Sequence, residues 1–193
     1  MKHLKSAFNL LMVIPATIGL LLMVPFIIIL RLINIKLVRQ PGYTDIYTPF
    51  YDQLDPYHGP AAWEASKAGV PQAALDLYAL HWAFTEVTAG GFSQFFNSPT
   101  GILAPEARDG FAAIGMEEVA ATLQSAMDRL ATPFPLELEA RQQRIKFDTA
   151  RMKFEETARF KAQTGNHNLI GGAALYLGPA DAYAAKHRQT NPA

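Results

Sequence analysis

The 193-residue chain contains no cysteine, which excludes disulfides, thiolate metal sites and cysteine nucleophiles. No compartment follows from that absence. Histidine is sparse, and His3, His58, His81, His167 and His187 fall in no H-E-x-x-H or similar ligand spacing. The G-x-S-x-G elbow and the Gly-rich phosphate loop are missing as well. With no nucleophile beside a base and no ligand set, the expectation is a protein that is not an enzyme and takes no metal or cofactor. No segment alternates apolar and polar residues over a strand's length, so an all-α fold is expected.

Charge is also missing, locally. Ser6 to Leu30 is a 25-residue stretch without a charged side chain, dominated by Leu, Ile, Val, Met and Phe. As a helix it would be roughly 37 Å long at about 1.5 Å per residue, against a hydrocarbon core of about 30 Å. Pro15 and Pro25 are tolerable there, because local adjustment or neighbouring groups re-satisfy freed carbonyls. A buried core helix and a cleaved signal are the alternatives. The run exceeds the usual signal core of about 7–15 residues, and Arg31-Leu32-Ile33-Asn34 offers no small-x-small cleavage site. The reading is a single-pass N-terminal transmembrane helix in an inner or plasma membrane of bacterial type. Lys2 and Lys5 on one side against Arg31, Lys36 and Arg39 on the other leave the orientation nearly balanced, with the cytoplasm slightly favoured for the rest of the chain.

No acidic residue precedes Gln40. All 17 lie beyond it against 12 Lys or Arg, so the formal neutrality of the chain conceals a C-terminal part carrying about −5. Pro41 to Glu137 holds 12 acids and three bases, whereas Leu138 to Ala193 holds five acids and nine bases. Such a dipolar surface suits a protein partner better than nucleic acid.

The organisation expected is an anchor with its flanks over 1–39, a connector over 40–60, and a compact helical domain of about five to seven helices over 61–193. Four prolines, four tyrosines and Phe50 in the connector favour packing onto the domain over a flexible tether. Trp63 to Ala68 reads as a short helix ended by Gly69. Pro71 suits the first position of the next helix, whose stripe is Leu77, Leu80, Phe84 and Val87 and which Gly90 and Gly91 stop. Another helix starts near Pro105, turns Phe111 and Ile114 inward and ends at Gly115. A further one opens with Glu117 and Glu118, where the helix dipole favours acids, and buries Val119, Leu123, Ala126 and Leu130. Thr132 to Pro135 breaks the pattern. The longest helix is expected from about Leu136 to Gln163, with Phe147, Ala150, Phe154 and Ala158 buried and Arg141, Arg144, Arg151 and Glu155 polar. Leu169 to Leu177 reads as a terminal helix, followed by a short one from Pro179 to His187.

One segment concentrates unusual residues: Glu86-Val87-Thr88-Ala89-Gly90-Gly91-Phe92-Ser93-Gln94-Phe95-Phe96-Asn97. Two glycines after a helix allow a left-handed turn that a residue with a Cβ resists. Phe92, Phe95 and Phe96 would then drive a short helical turn into the core, with the Gln94 and Asn97 amides bonding freed backbone groups. The structural reading is a corner fixed by aromatic packing, and the functional one is a polar pocket for a ligand or a partner's side chain. His81 reads as a partly buried structural histidine. Glu117-Glu118 and Glu155-Glu156 read as dipole complement and solvated face.

At this segment, and at Gly110-Phe111-Ala112-Ala113-Ile114-Gly115, the chain resembles the domain of unknown function 4375 family, that of DNA mimic protein 19. Its hallmark is a glutamate, then Asn-Gly-Gly-Phe-x-Gln-Phe-Phe-x-Asn, then a helix ending in Ile-Gly. Glu86, Gly90, Gly91, Phe92, Gln94, Phe95, Phe96, Ile114 and Gly115 match. Ala89 replaces the first asparagine, and Asn97 falls one place early. The resemblance covers about Pro71 to Phe147. It implies an all-helical fold and, from the family's named member, the sequestering of a DNA-binding protein by an acidic surface. Asp76, Glu106, Asp109, Glu117, Glu118 and Asp128 are the acids that could form such a surface here. The expected function is a membrane-anchored helical protein-interaction module, for instance an immunity or regulatory protein. A DNA mimic acting on a basic transcription factor is the alternative, and an enzyme with an unrecognised site is the third reading. The expected partners are the lipid bilayer, through Ser6 to Leu30, and an unidentified protein.

Overall fold

The structure, a computed structural model of the chain, describes residues 42–147, 155–165 and 174–190. The chain divides into two units at Gln40, and the described residues all belong to the second, Pro41–Ala193. Among them no helix is long and apolar enough to cross a membrane. The expected span from Ser6 to Leu30 lies outside the described residues.

The described part is helical, without strands. Its helices are α1 (Thr44–Tyr47), α2 (Pro60–Ser66), α3 (Gln72–Asn97), α4 (Ala104–Ala113), α5 (Glu117–Leu130), α6 (Leu138–Phe147), α7 (Glu156–Thr164) and α8 (Leu177–Thr190). Short 3-10 turns at Thr48–Phe50 and Pro99–Leu103 join two of the gaps. That is eight helices among the described residues: seven from Pro60 onward, within the five to seven expected of the domain, and α1 in the segment expected to be a connector.

The centre of the fold is α3. Leu77, Leu80, Phe84 and Val87 are buried as the stripe requires, with Ala73 in line with them, and so are Ala74, Ala79 and Ala83 to either side. A helix apolar on most of its circumference belongs inside a bundle, and α1, α4, α6, α7 and α8 all pack on it. Pro71 stands at the N-cap, with ψ 140°, one position before the expected first turn. Alanine keeps the neighbours close, and Gly110 brings α4 closer still: a Cβ there would lie 2.6 Å from the Asp76 carbonyl oxygen.

Between α4 and α5 the chain reverses as the residues suggest. Gly115 has φ +80°, and the Met116 N–H donates to the Phe111 carbonyl at 2.8 Å, closing α4 with a left-handed cap. Along α5, Val119, Leu123, Ala126 and Leu130 all face inward.

The single long helix expected from Leu136 to Gln163 is not what forms. α6 begins at Leu138, α7 has its own N-cap at Glu155, and residues 148–154 lie outside the described set. Ala158 is exposed, and Phe160 and Thr164 carry the buried face of α7. The side chain of Phe147, with Ala150 and Phe154, lies outside the described residues. Most of the expected terminal helix over 169–177 does too, and α8 runs longer than the Pro179-to-His187 piece.

The segment expected to act as a connector joins the core. Tyr43, Tyr47 and Leu54 are buried, and the Tyr47 ring meets Tyr78 of α3 edge-on at 5.7 Å. The Asp181 carboxylate of α8 accepts from the Tyr43 N–H at 2.7 Å. This fastens the start of the described chain to its last helix.

Candidate functional site

Gly90 keeps helical backbone, and the break falls on Gly91 alone. Gly91 sits at φ +79°, ψ 179°, and six more helical residues follow it. Only glycine holds that conformation without strain. Turned by the break, Phe92, Phe95 and Phe96 are fully buried. Phe92 stacks on Phe96 at 5.5 Å and meets Phe160 of α7 edge-on at 5.3 Å, while Phe111 of α4 meets the same Phe160 at 5.5 Å. Three helices thus share one aromatic cluster.

A break in a helix frees backbone groups that must find partners when buried. The sequence suggested the Gln94 and Asn97 amides, and the structure uses other residues. The Phe92 N–H donates to Thr157 Oγ1 of α7 at 3.2 Å. The carbonyls at the end of α3 are taken by Arg141 of α6, whose Nε donates to Phe96 O at 2.9 Å and whose Nη2 donates to Ser98 O at 3.0 Å. Arg141 Nη1 donates to Leu136 O in addition. Arg141, expected on a polar face, is 1% exposed. Burial pulls its pKa down to about 10, against the opposing pull of Glu137 and Glu139. The planar fork of a guanidinium suits several carbonyls at once. Glu156, expected to be solvated, is buried and accepts from Arg129 Nη2 at 2.7 Å. Burial raises its pKa, but the Arg129 bond and charge and a bond from Ser125 outweigh that and hold it below the ordinary range.

Gln94 instead spans the break along the surface. Its Nε2 donates to Glu86 Oε2 at 2.9 Å, and Thr100 Oγ1 reaches Glu86 Oε1 at 3.4 Å. Gly90 leaves room for this arrangement, since a Cβ there would lie 1.8 Å from Gln94 Oε1. Asn97 is exposed, and its carbonyl accepts from Gln142 Nε2 at 3.2 Å. Glu86, Gly90, Gly91, Phe92, Gln94, Phe95 and Phe96 therefore form one corner, apolar inside and carboxylate–amide outside.

The six candidate surface acids do not form one face. Asp76 is 4% exposed and accepts from Tyr183 Oη at 2.7 Å and Gln72 Nε2 at 2.8 Å, so it is an internal tie to α8. Half-buried Glu106 accepts from Trp63 Nε1 at 2.9 Å and faces Lys67 at 3.2 Å. Asp109 pairs with Arg108 at 2.7 Å. Glu117, Glu118 and Asp128 are exposed. Glu117 and Glu118 line an open cleft of about 390 Å³ at the start of α5, with Gly115, Met116, Val119 and Gln163.

A second cluster was invisible in the sequence because its members are far apart along the chain. His81 Nδ1 lies 2.7 Å from the Tyr43 hydroxyl, which lies 2.9 Å from that of Tyr176. Burial lowers the His81 pKa, and it raises those of Tyr43 and Tyr176. A neutral imidazole accepting from Tyr43 satisfies the chain of hydroxyls, so His81 is structural. On the neighbouring face of α3, Tyr78, Trp82 and Glu86 follow at intervals of four and so share one side. Tyr51 lies over Tyr78 at 5.9 Å, and Trp82 meets Tyr78 at 6.3 Å. Partial burial first, and then Tyr51, Glu86 and Asp55, raise the Tyr57 pKa. Among the described residues no three His, Asp or Glu side chains gather as metal ligands would.

Comparison with known proteins found no match to a curated protein or to a solved structure. A family model described as DMP19-like protein matches residues 68–168, from just before α3 to just beyond α7. That range contains the Gly91 corner, the aromatic cluster, and the Arg141 and Thr157 side chains that complete it. With more than half of its length matched, the chain belongs to the DMP19-like protein family.

Proposed function

We propose that this chain is a membrane-tethered helical module that binds a protein partner and carries out no catalysis. The tether is the uncharged run from Ser6 to Leu30, long enough to cross an inner or plasma membrane. The observation that carries the interaction reading is the use to which the corner is put. Its polar side chains hold one another across a rigid bend, Glu86 to Gln94 at 2.9 Å. An immunity or regulatory protein that holds its partner near the bilayer is the concrete form of this reading.

DNA mimicry is the second reading, because the family fits it and Glu117 and Asp128 share a stripe of α5. It ranks lower on magnitude. The two acids are roughly 16 Å apart along the axis at about 1.5 Å per residue, whereas duplex DNA carries about one charge per 1.7 Å. Arg108 also stands inside the stripe, donating to Gln124 at 2.7 Å, and Asp76 is buried.

The deciding experiment is affinity capture with the full chain from detergent-solubilised membranes, together with membrane fractionation. The chain is expected to sediment with membranes, to resist carbonate and high salt, and to retain a specific protein. Removing residues 1–39 is expected to release a folded helical product. Recovery of the intact chain in the soluble fraction would overturn the tether, and a captured basic DNA-binding regulator released by moderate salt would favour mimicry.

A further inference from the structure

Glu86 is bound on one side only. A carboxylate has about four acceptor positions, yet Glu86 receives one good hydrogen bond, from Gln94, and one long one, from Thr100. No Lys or Arg pairs with it among the described residues. Holding the bend needs an acceptor at this position and does not need a charge.

The surroundings of that charge are aromatic and acidic. Tyr51 and Tyr57 are 46% and 52% exposed, an uncommon state for large rings in a domain that buries most of its aromatics. Tyr51 borders the Tyr78–Trp82–Glu86 side of α3 through its edge-on contact with Tyr78 at 5.9 Å, and Tyr57 belongs to the same loop. Asp52 belongs to the same loop, as does Asp55, whose carboxylate is held by His58 Nδ1 at 2.7 Å. Between Pro41 and Glu86 the one Lys or Arg is Lys67, and it is engaged by Glu64 at 2.6 Å and Glu106 at 3.2 Å.

Open tyrosine faces beside an uncompensated carboxylate are complementary to one kind of group, a cation that can also lie flat on a ring. Guanidinium does both, through cation–π contact and a carboxylate pair, and tyrosine is among the residues that dominate binding energy at interfaces. We infer that Tyr51, Tyr57, Trp82 and Glu86 form a docking surface for an arginine-bearing segment of the protein partner, with Glu86 taking the guanidinium. This rests on the interaction-module reading and specifies its chemistry. The surface is separate from the α5 acids that mimicry would use.

The test uses the full chain in detergent micelles and a fluorescein-labelled peptide of four Gly-Arg repeats, with a matched peptide carrying citrulline in place of arginine. Citrulline keeps the shape and removes the charge. Fluorescence anisotropy is expected to show binding of the arginine peptide and none of the citrulline one. Tyr57→Ala and Glu86→Gln should each weaken binding by at least about five-fold. The double change Glu117→Gln with Glu118→Gln should leave it within about two-fold. Far-UV circular dichroism checks folding, and should Glu86→Gln fail to fold, exposed Tyr57 decides alone. Absence of wild-type binding, equal binding of both peptides, or an equal loss in the Glu117/Glu118 variant would each overturn the inference. If Tyr57→Ala still captures the partner from membranes with unchanged affinity, the docking surface is wrong while the interaction module stands. If the wild-type chain captures nothing, the module reading falls, whatever the peptides do.

Discussion

Replacing Arg141 by methionine tests the central claim that residues remote in sequence complete the bend in α3. Methionine keeps an unbranched stem of similar reach and removes every donor. Three carbonyls then lose their partner, those of Phe96, Ser98 and Leu136, in a place where the side chain is 1% exposed and water has little access. At about 1 kcal/mol net per bond, the direct loss is about 3 kcal/mol. Relief of the burial penalty on a charged group offsets part of this, and leaving the carbonyls unsatisfied adds to it. The expected result is a destabilisation of about 2–4 kcal/mol. For a domain of this size each kcal/mol moves the midpoint by about 2–4 °C, so the melting temperature should fall by roughly 4–16 °C. Thermal denaturation followed by circular dichroism at 222 nm measures this on the full chain in detergent. Arg141→Lys should recover little, because an ammonium cannot reach carbonyls on both sides as the fork does. A shift below about 1 °C for Arg141→Met would refute the claim that Arg141 holds the end of α3.

The two glycines of the corner should behave differently. Gly91→Val should cost about 1–3 kcal/mol for backbone strain at φ +79°, with its Cβ 3.1 Å from the Thr157 side chain. Gly90→Ala should also cost stability by urea titration, for a different reason: its Cβ would lie 1.8 Å from Gln94 Oε1 and 2.7 Å from Gln94 Cβ, which displaces Gln94 from Glu86. Adding Gln94→Gly should relieve the loss from Gly90→Ala and leave that from Gly91→Val, and equal relief at both positions would contradict the assignment of the break to Gly91. Phe95→Ala should lower stability by about 3–5 kcal/mol, since the ring is fully buried, and an unchanged melting temperature would remove Phe95 from the core. The lowered pKa of His81 sets a pH dependence. Its contribution is whole above the ordinary value of 6.5 and is lost as pH falls from there through the folded value. The melting temperature should therefore drop more steeply between pH 7 and 5 in the wild type than in His81→Gln, and identical slopes would refute the burial argument.

Much of the fold could be read locally. Helix stripes, proline starts and the Gly115 stop depend on neighbours within one or two turns, so α3, α4 and α5 and their buried faces followed from spacing alone. The bend after Glu86 and the burial of Phe92, Phe95 and Phe96 were readable for the same reason, since a glycine next to an aromatic run has few other uses. The 136–163 region misled because charged and aromatic residues at helical spacing are compatible with one helix or two. Asp76 also misled, because a carboxylate on an amphipathic stretch is ordinarily solvated, and a Tyr183 hydroxyl arriving from α8 cannot be anticipated from its neighbours.

What the sequence determined by itself is the chemistry each segment can tolerate: an uncharged run from Ser6 to Leu30, helices through the described residues beyond it, a break at a glycine pair, and the family motif that contains that break. What tertiary structure decided is where freed or charged groups find partners. Arg141 and Thr157 close the bend from 45 or more residues away, and Tyr43, His81 and Tyr176 meet across more than half the chain. Periodicity reports only which side of a helix is apolar. The partner of a buried polar group is set by which helices pack together, because inside the bundle each such group must be satisfied by whatever side chain the packing delivers.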